Sequence, residues 1–209
     1  MKTAIKIILL TGVLCYLVFA VATMSQDKDR RICHDISIII EDSTADNYID
    51  SRYIENIITK AKCQIKNMPI SQIDANSIEG HILGSPYIDS VICYYTPENT
   101  MCIRVFTRTP VLHVITEAGE DYYMDMKGNA MPTDEFLMDI CLATGNITKE
   151  YAREKLTGLA DFLNNHPTWN KEIQQVYVRN EKQIELIPHA GEHIIILGEP
   201  KDINDKLDR

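Results

Sequence analysis

Two closely spaced carboxylates, Asp121 and Asp125, are the residues of this chain best suited by type to acid–base chemistry. A separation of four residues places both on one face of a short predicted strand, and paired carboxylates can act as a general acid and a general base. They flank a predicted hairpin turn and face no evident cleft. The sequence therefore favours solvated turn residues over a catalytic pair.

Metal ligation and covalent catalysis have equally little support. Of the six histidines, only His189 and His193 are close in sequence, and a metal ion there would need further ligands from elsewhere. The sequence contains no nucleophile elbow, zinc-protease helix or phosphate-binding loop. We therefore predict no catalytic residue, no metal site, no cofactor and no small-molecule substrate.

The cysteines suggest one pairing. If Thr96–Asn99 forms a four-residue hairpin loop, Cys93 opposes Cys102 on the neighbouring strand. Cross-strand partners have Cβ atoms roughly 4.5–5.5 Å apart, so either a slightly strained disulfide or two adjacent free thiols would fit. The same register predicts a core-facing row formed by Ile92, Tyr94, Met101 and Ile103.

The elements that position these residues fall into two modules. The first reads as strand, two helices and two strands: Ile32–Ile40, a helix capped by Asp50 or Ser51, a helix from Asp74 to Gly84, then Tyr87–Tyr95 and Thr100–Thr107. The second begins at Pro110 and is mostly strands, predicted at Val111–Thr116, Tyr122–Asp125, Phe136–Leu142, Ile173–Arg179, Gln183–Pro188 and His193–Leu197. One long helix, capped by Thr148 and reaching about Asn164, interrupts them, and a last helix follows Glu199-Pro200.

The first 24 residues contain an uncharged apolar run preceded by Lys2 and Lys6. Its length is close to the ~20 residues of a membrane helix, and the two lysines predict a cytoplasmic N-terminus. Ala20-Val21-Ala22 also fits a signal-peptidase site, so a cleaved secretory signal is the alternative. Either reading exports the rest of the chain. The net charge of −9 argues against a nucleic-acid partner.

Several segments resemble the bacterial cell-division protein family FtsQ/DivIB. They are Arg108-Thr109-Pro110, Tyr122-Tyr123-Met124-Asp125 with Gly128, Thr144-Gly145, Ile184-Glu185-Leu186, Ile195–Gly198 and Ser85-Pro86-Tyr87-Ile88. The resemblance implies an α+β protein with a cytoplasmic tail (1–6), a retained transmembrane helix (7–24), a linker (25–31), a POTRA domain (32–107) and an FtsQ-type β domain (108–209). In the family the segment aligned with Lys201–Leu207 continues into a longer helix and further strands, so we expect either a fragment or a β domain that is shorter than usual.

The resemblance also implies a function. Such proteins are non-enzymatic scaffolds of the inner membrane, periplasmic in bulk and enriched at the septum, which recruit FtsB and FtsL. Their last strand, in a segment that we expect this chain to lack, presents an edge that pairs with FtsB by strand addition. By this likeness we expect partner contacts at Arg179, Lys206 and Leu207.

Two other classes remain open from sequence. One is a POTRA-containing component of secretion or assembly machinery. The other is a secreted periplasmic enzyme released by cleavage after Ala22.

Overall fold

The computed structural model describes residue 6 and residues 9–21, 31–41 and 48–207. The chain divides into two compact units, one comprising Met1–Glu41 with Ile49–Phe106 and the other Asp42–Tyr48 with Thr107–Arg209. Residues 9–21 are helical and their apolar side chains are exposed. Among the described residues, no helix has both the length and the hydropathy needed to span a membrane. Part of the predicted span, residues 7–8 and 22–24, lies outside the described residues.

The first unit has the predicted order of strand, two helices and two strands. Its elements are β1 (Asp35–Glu41), α1 (Ser51–Lys60), α2 (Ala75–Leu83), β2 (Ile88–Tyr95) and β3 (Thr100–Thr107). The strands form one sheet in the order β1-β3-β2, and β1 runs parallel to β3. The strand predicted from Ile32 starts three residues later, because Ile32 forms an isolated bridge to Pro69 instead.

Both helices of this unit begin at aspartate caps. The Asp50 carboxylate accepts the Tyr53 N–H at 2.9 Å, and the Asp74 carboxylate accepts the Ser77 N–H at 3.1 Å. The helices bury one face each, through Ile54 and Ile58 in α1 and Ile78 and Ile82 in α2.

The register predicted for the β2–β3 hairpin is wrong by one residue. The Thr96 N–H donates to the Thr100 carbonyl and the Asn99 N–H to the Thr96 carbonyl, which closes a three-residue loop with Asn99 at φ 58°. Thr96 therefore faces Thr100, and Cys93 falls opposite Ile103 rather than Cys102. Ile92 and Tyr94, predicted to face the core, are 49% and 41% exposed.

The cysteine pairing fails for the same reason. Because Thr96 faces Thr100, Cys102 faces Tyr94, which is the neighbour of Cys93 on β2. Neighbouring residues of a strand point to opposite faces, so the side chains of Cys93 and Cys102 leave opposite faces of the sheet. Both thiols are free. Burial, reinforced by the nearby Glu79 carboxylate and then by Cys102, raises the pKa of the Cys93 thiol to about 12.

The second unit is a seven-stranded sheet in the order β10-β9-β8-β7-β4-β5-β6. Its strands are β4 (Pro110–Ile115), β5 (Asp121–Asp125), β6 (Ala130–Pro132), β7 (Cys141–Gly145), β8 (Ile173–Val178), β9 (Ile184–Pro188) and β10 (Ile195–Gly198). Pro110 opens β4, as predicted for a residue that cannot donate to a ladder.

The helices of this unit are α3, which runs from Lys149 to Asn165 and is wound as a π-helix over Ala152–Leu156, then α4 (Pro167–Glu172) and α5 (Ile203–Leu207). The buried stripe of α3 packs with the sheet in one core, through Ala152, Leu156, Leu159, Ala160, Phe162 and Leu163.

The strand predicted over Phe136–Leu142 is displaced toward the C-terminus. Residues 136–140 have no regular secondary structure, and β7 starts at Cys141. Phe136 instead makes an edge-on ring contact with Tyr48, and the Met138 N–H donates to the Tyr123 hydroxyl at 3.0 Å. These contacts hold the segment off the ladder and leave Leu137 96% exposed.

Candidate functional site

The edge strand β10 of the second unit has exposed apolar side chains in and beside it. It pairs antiparallel with β9 on one side, and the described strands supply no neighbour on the other. Ile196 is 69% exposed and Ile194, which precedes the strand, is 55% exposed. An exposed apolar edge is a template for pairing with another chain.

A row of side chains extends from this edge across the outer face of the sheet. The ladder places Ile196 beside Glu185, and Glu185 beside Tyr177. The neighbouring row, Leu186 and Val176, belongs to the core. Because side chains alternate along a strand, Ile196, Glu185 and Tyr177 point away from α3. We call this row with Arg179 the edge patch.

Arg179 ends the edge patch as an ion pair. Its guanidinium lies 2.9 Å from the Glu185 carboxylate, with the Arg179 side chain about half exposed and Glu185 largely covered. The two residues line a shallow depression of about 400 Å³ together with Tyr177, Asn180 and Glu181. The expected contact residue is thus exposed, but an acidic partner must share it with Glu185.

Lys206 and Leu207, for which a partner contact stays a prediction, both make contacts within the second unit. The Lys206 ammonium donates to the carbonyls of Leu197 and Glu199, at 3.3 and 2.8 Å. Leu207 and Ile203 are buried in the core. The short helix α5 therefore holds the C-terminal end of β10 in place through Lys206, and the Leu207 side chain packs in the core.

The Thr144-Gly145 motif positions the β8–β9 hairpin. Gly145 has φ 102°, and a Cβ there would lie 2.2 Å from the Val178 carbonyl oxygen, so only glycine fits. The Asn146 N–H donates to that same carbonyl at 2.8 Å. At the hairpin tip, the Lys182 ammonium donates to the Asn146 carbonyl at 2.7 Å and lies 4.9 Å from the Tyr151 ring centroid. These contacts hold the hairpin that carries Arg179 and Glu185.

The interpretation of Asp125 as a solvated turn residue is wrong. It is 4% exposed, and its carboxylate accepts the backbone N–H groups of Lys127 and Asn129 at 2.9 and 2.8 Å. The Asn129 amide and the Arg108 guanidinium also donate to it, at 2.8 and 3.2 Å. Asp125 is therefore the structural centre of the β5–β6 turn, where Gly128 adopts φ 80°.

Asp121, by contrast, is half exposed and lies 2.6 Å from a ring nitrogen of His113. The two aspartates thus have separate partners and do not form an acid–base pair. His189 donates its backbone N–H to the Glu172 carbonyl. In the part of the chain that the structure describes, no three His, Cys, Asp or Glu side chains are placed to hold a metal ion.

Ile194, Ile196 and Tyr177 were not predicted as contact residues from the sequence. A signal was present, since residues 193–197 carry three consecutive isoleucines in a strand predicted next to the C-terminal end of the chain. A strand buried on both faces also reads as a continuous apolar run, so the pattern could not identify an edge.

The fold defines a class of protein in which a small β-α-α-β-β domain is followed by an open sheet with helices on one face. Residues 31–106 match the family model of a POTRA-like domain, and residues 109–209 match that described as FtsQ/DivIB, C-terminal related. No curated protein matches the chain. The two matches together support the FtsQ/DivIB family of cell-division proteins, with a POTRA domain followed by a β domain, and they suggest a scaffold role in cell division.

Proposed function

We propose that this protein is a divisome scaffold that binds a pair of later division proteins of the FtsB/FtsL type and recruits them to the septum. The observation that carries the proposal is the edge strand β10, which has β9 as its one neighbour among the described strands, with Ile196 of β10 and Tyr177 of β8 exposed on the outer face of the same sheet. A partner segment in extended conformation would add a strand there, gaining main-chain hydrogen bonds along β10.

The charge at the edge patch favours a partner with a mixed surface. Arg179 is exposed enough to meet an acidic side chain, while Glu185 holds it in place at 2.9 Å. Because exposed ion pairs contribute roughly 0–1 kcal/mol, we expect Arg179 to set orientation more than affinity. Burying Ile196 would contribute more.

The proposal includes a retained membrane anchor over residues 7–24, an N-terminus in the cytoplasm and the remaining chain in the periplasm. Its support is the uncharged run preceded by Lys2 and Lys6. N-terminal mass spectrometry of the membrane fraction should find the uncleaved start of the chain. A soluble mature protein starting at Thr23 would contradict the anchor.

A binding measurement tests the scaffold role. The full chain in detergent, immobilised through its N-terminus, is titrated with the purified FtsB–FtsL-type pair of the same bacterium. Ile196→Lys should weaken binding at least about tenfold, because it puts a charge at the centre of the surface that the partner would bury. Leu83→Lys is the matched control, since Leu83 is 46% exposed at the end of α2 in the other unit. Equal affinity of both variants and the wild type would contradict binding along β10.

A further inference from the structure

The strand β2 lies at one edge of the three-stranded sheet, and one side chain blocks part of that edge. The backbone N–H of Cys93 donates to the Glu79 carboxylate at 2.6 Å. Glu79 lies on α2 and is half-buried, next to the core residue Ile78. A helix side chain thus occupies a hydrogen bond that a neighbouring strand would otherwise make.

The hairpin geometry shows why this N–H points outward. Thr96 bonds to Thr100 across the loop, so the N–H groups of even-numbered β2 residues face β3. The odd-numbered residues Val91, Cys93 and Tyr95 therefore direct their N–H groups away from β3. In the described sheet β2 has β3 as its one neighbour.

The strand itself is well suited to pairing. Residues 91–95 read VICYY, an uncharged run of β-branched and aromatic residues apart from the one cysteine. Ile92 and Tyr94 are about half exposed on the face away from the helices. Such strands pair edge to edge unless something prevents it, and an inward-pointing charge is one of the ways that natural proteins do so.

We propose that β2 is a latent pairing edge for a second copy of this chain, and that Glu79 holds it closed. The occupant follows from self-complementarity. In an antiparallel β2–β2 pair centred on Cys93, the strand meets itself in hydrogen-bonded register, with Val91 opposite the second copy's Tyr95. Ile92 of each copy then packs on Tyr94 of the other, so both exposed apolar side chains are covered by favourable aromatic–β-branched pairs.

The register also avoids charge conflict. Asp89, the acidic residue of β2, would face Pro97 of the second copy rather than another carboxylate. Pairing requires Glu79 to leave the Cys93 N–H, because each Cys93 N–H then donates to the carbonyl of the other Cys93. Glu79 is therefore the residue whose movement or loss would permit the dimer.

The test compares the oligomeric state of the full chain in detergent, measured by sedimentation equilibrium, for the wild type, Glu79→Ala and Glu79→Gln. Glu79→Ala should lower the dimer dissociation constant about tenfold or more, because a hydrogen bond to a charged group no longer competes. Glu79→Gln keeps an acceptor oxygen and should stay closer to the wild type.

Two further variants locate the contact. Glu79→Ala/Ile92→Lys should return to monomer, because the charge replaces one of the apolar side chains that the dimer covers. Mild oxidation with copper–phenanthroline and oxygen should join Glu79→Ala chains through a Cys93–Cys93 disulfide, which Cys93→Ser abolishes. A monomeric Glu79→Ala variant with native circular dichroism would overturn the proposal. So would a dimer that survives Ile92→Lys or that cross-links without Cys93.

Discussion

At the scale of single residues, the environment of Asp125 shows what a spacing pattern leaves undetermined. The sequence spacing places Asp121 and Asp125 on one strand face. Asp121 pairs with His113 and is half exposed, whereas the buried Asp125 carboxylate accepts four hydrogen bonds. The difference comes from Arg108 and Asn129, whose approach depends on the turn and on the β4 strand. The Tyr-Tyr-Met-Asp motif could be recognised from sequence, but its structural role could not.

These environments predict unequal costs of truncation. Asp125→Ala should lower the free energy of unfolding by about 3 kcal/mol, since it leaves buried N–H donors and the Arg108 charge unpaired. Asp121→Ala is the matched control and should cost less than about 1 kcal/mol, because an exposed ion pair contributes little. Urea denaturation followed by circular dichroism measures both. Equal effects would show that Asp125 is not the centre of the turn.

The cysteines give a second prediction at this scale. With the pKa of the thiols of Cys93 and Cys141 raised to about 12 by burial, both should be protonated at about pH 8 and react slowly with iodoacetamide. Peptide mapping after alkylation of the folded protein should find both unmodified at times when the denatured protein is fully labelled. A Cys93–Cys102 disulfide in the same map would contradict the hairpin register described above.

At the scale of elements, local signals predicted most helices and hairpins, and long-range contacts decided the rest. Asp50, Asp74 and Thr148 cap their helices as their types suggest. The prediction of a strand over Phe136–Leu142 was wrong because Tyr48 and Tyr123 contact that segment, and neither residue is near it in sequence. The predicted β2–β3 register was wrong because Asn99 adopts a left-handed conformation, and the loop is one residue shorter than predicted.

Two glycines test how the β8–β9 hairpin is held. Gly145→Ala should cost at least about 2 kcal/mol more than Gly198→Ala. Both glycines have positive φ, but a Cβ at Gly145 would collide with Val178, whereas nothing lies within 4 Å of one at Gly198. Thermal and urea unfolding of the two variants supply the comparison. Similar costs would mean that β7 does not need its close approach to β8.

At the scale of the whole molecule, the sequence identified the family and the order of the two domains, and it could not identify the binding surface. Edges are defined by which strand lacks a neighbour, and that depends on sheet order. The crossover that places β7 between β4 and β8 has no local sequence signal. Ile196 and Glu79 became functional candidates only when the sheet order was known.

The buried thiols and a buried phenol predict how overall stability depends on pH. The pKa values of Cys93, Cys141 and Tyr122 are raised to about 12, chiefly by burial. A group whose pKa is higher in the folded state stabilises the fold fully below its unfolded pKa, and loses that contribution as the pH rises through the folded value. The free energy of unfolding should therefore fall between roughly pH 9 and 12. Denaturant titrations across this window would contradict the assignment if stability stayed level or rose.

Recruitment in dividing cells tests the central claim most directly. In bacteria depleted of this protein, the septal fluorescence of a labelled FtsB-type partner is measured while variants are expressed at equal levels. The wild type and Leu83→Lys should restore the partner's septal band. The Ile196→Lys variant should still localise to the septum, but the partner's septal band should stay absent. Full restoration by Ile196→Lys would contradict partner capture along β10. A partner band that persists without any form of the protein would contradict the scaffold role.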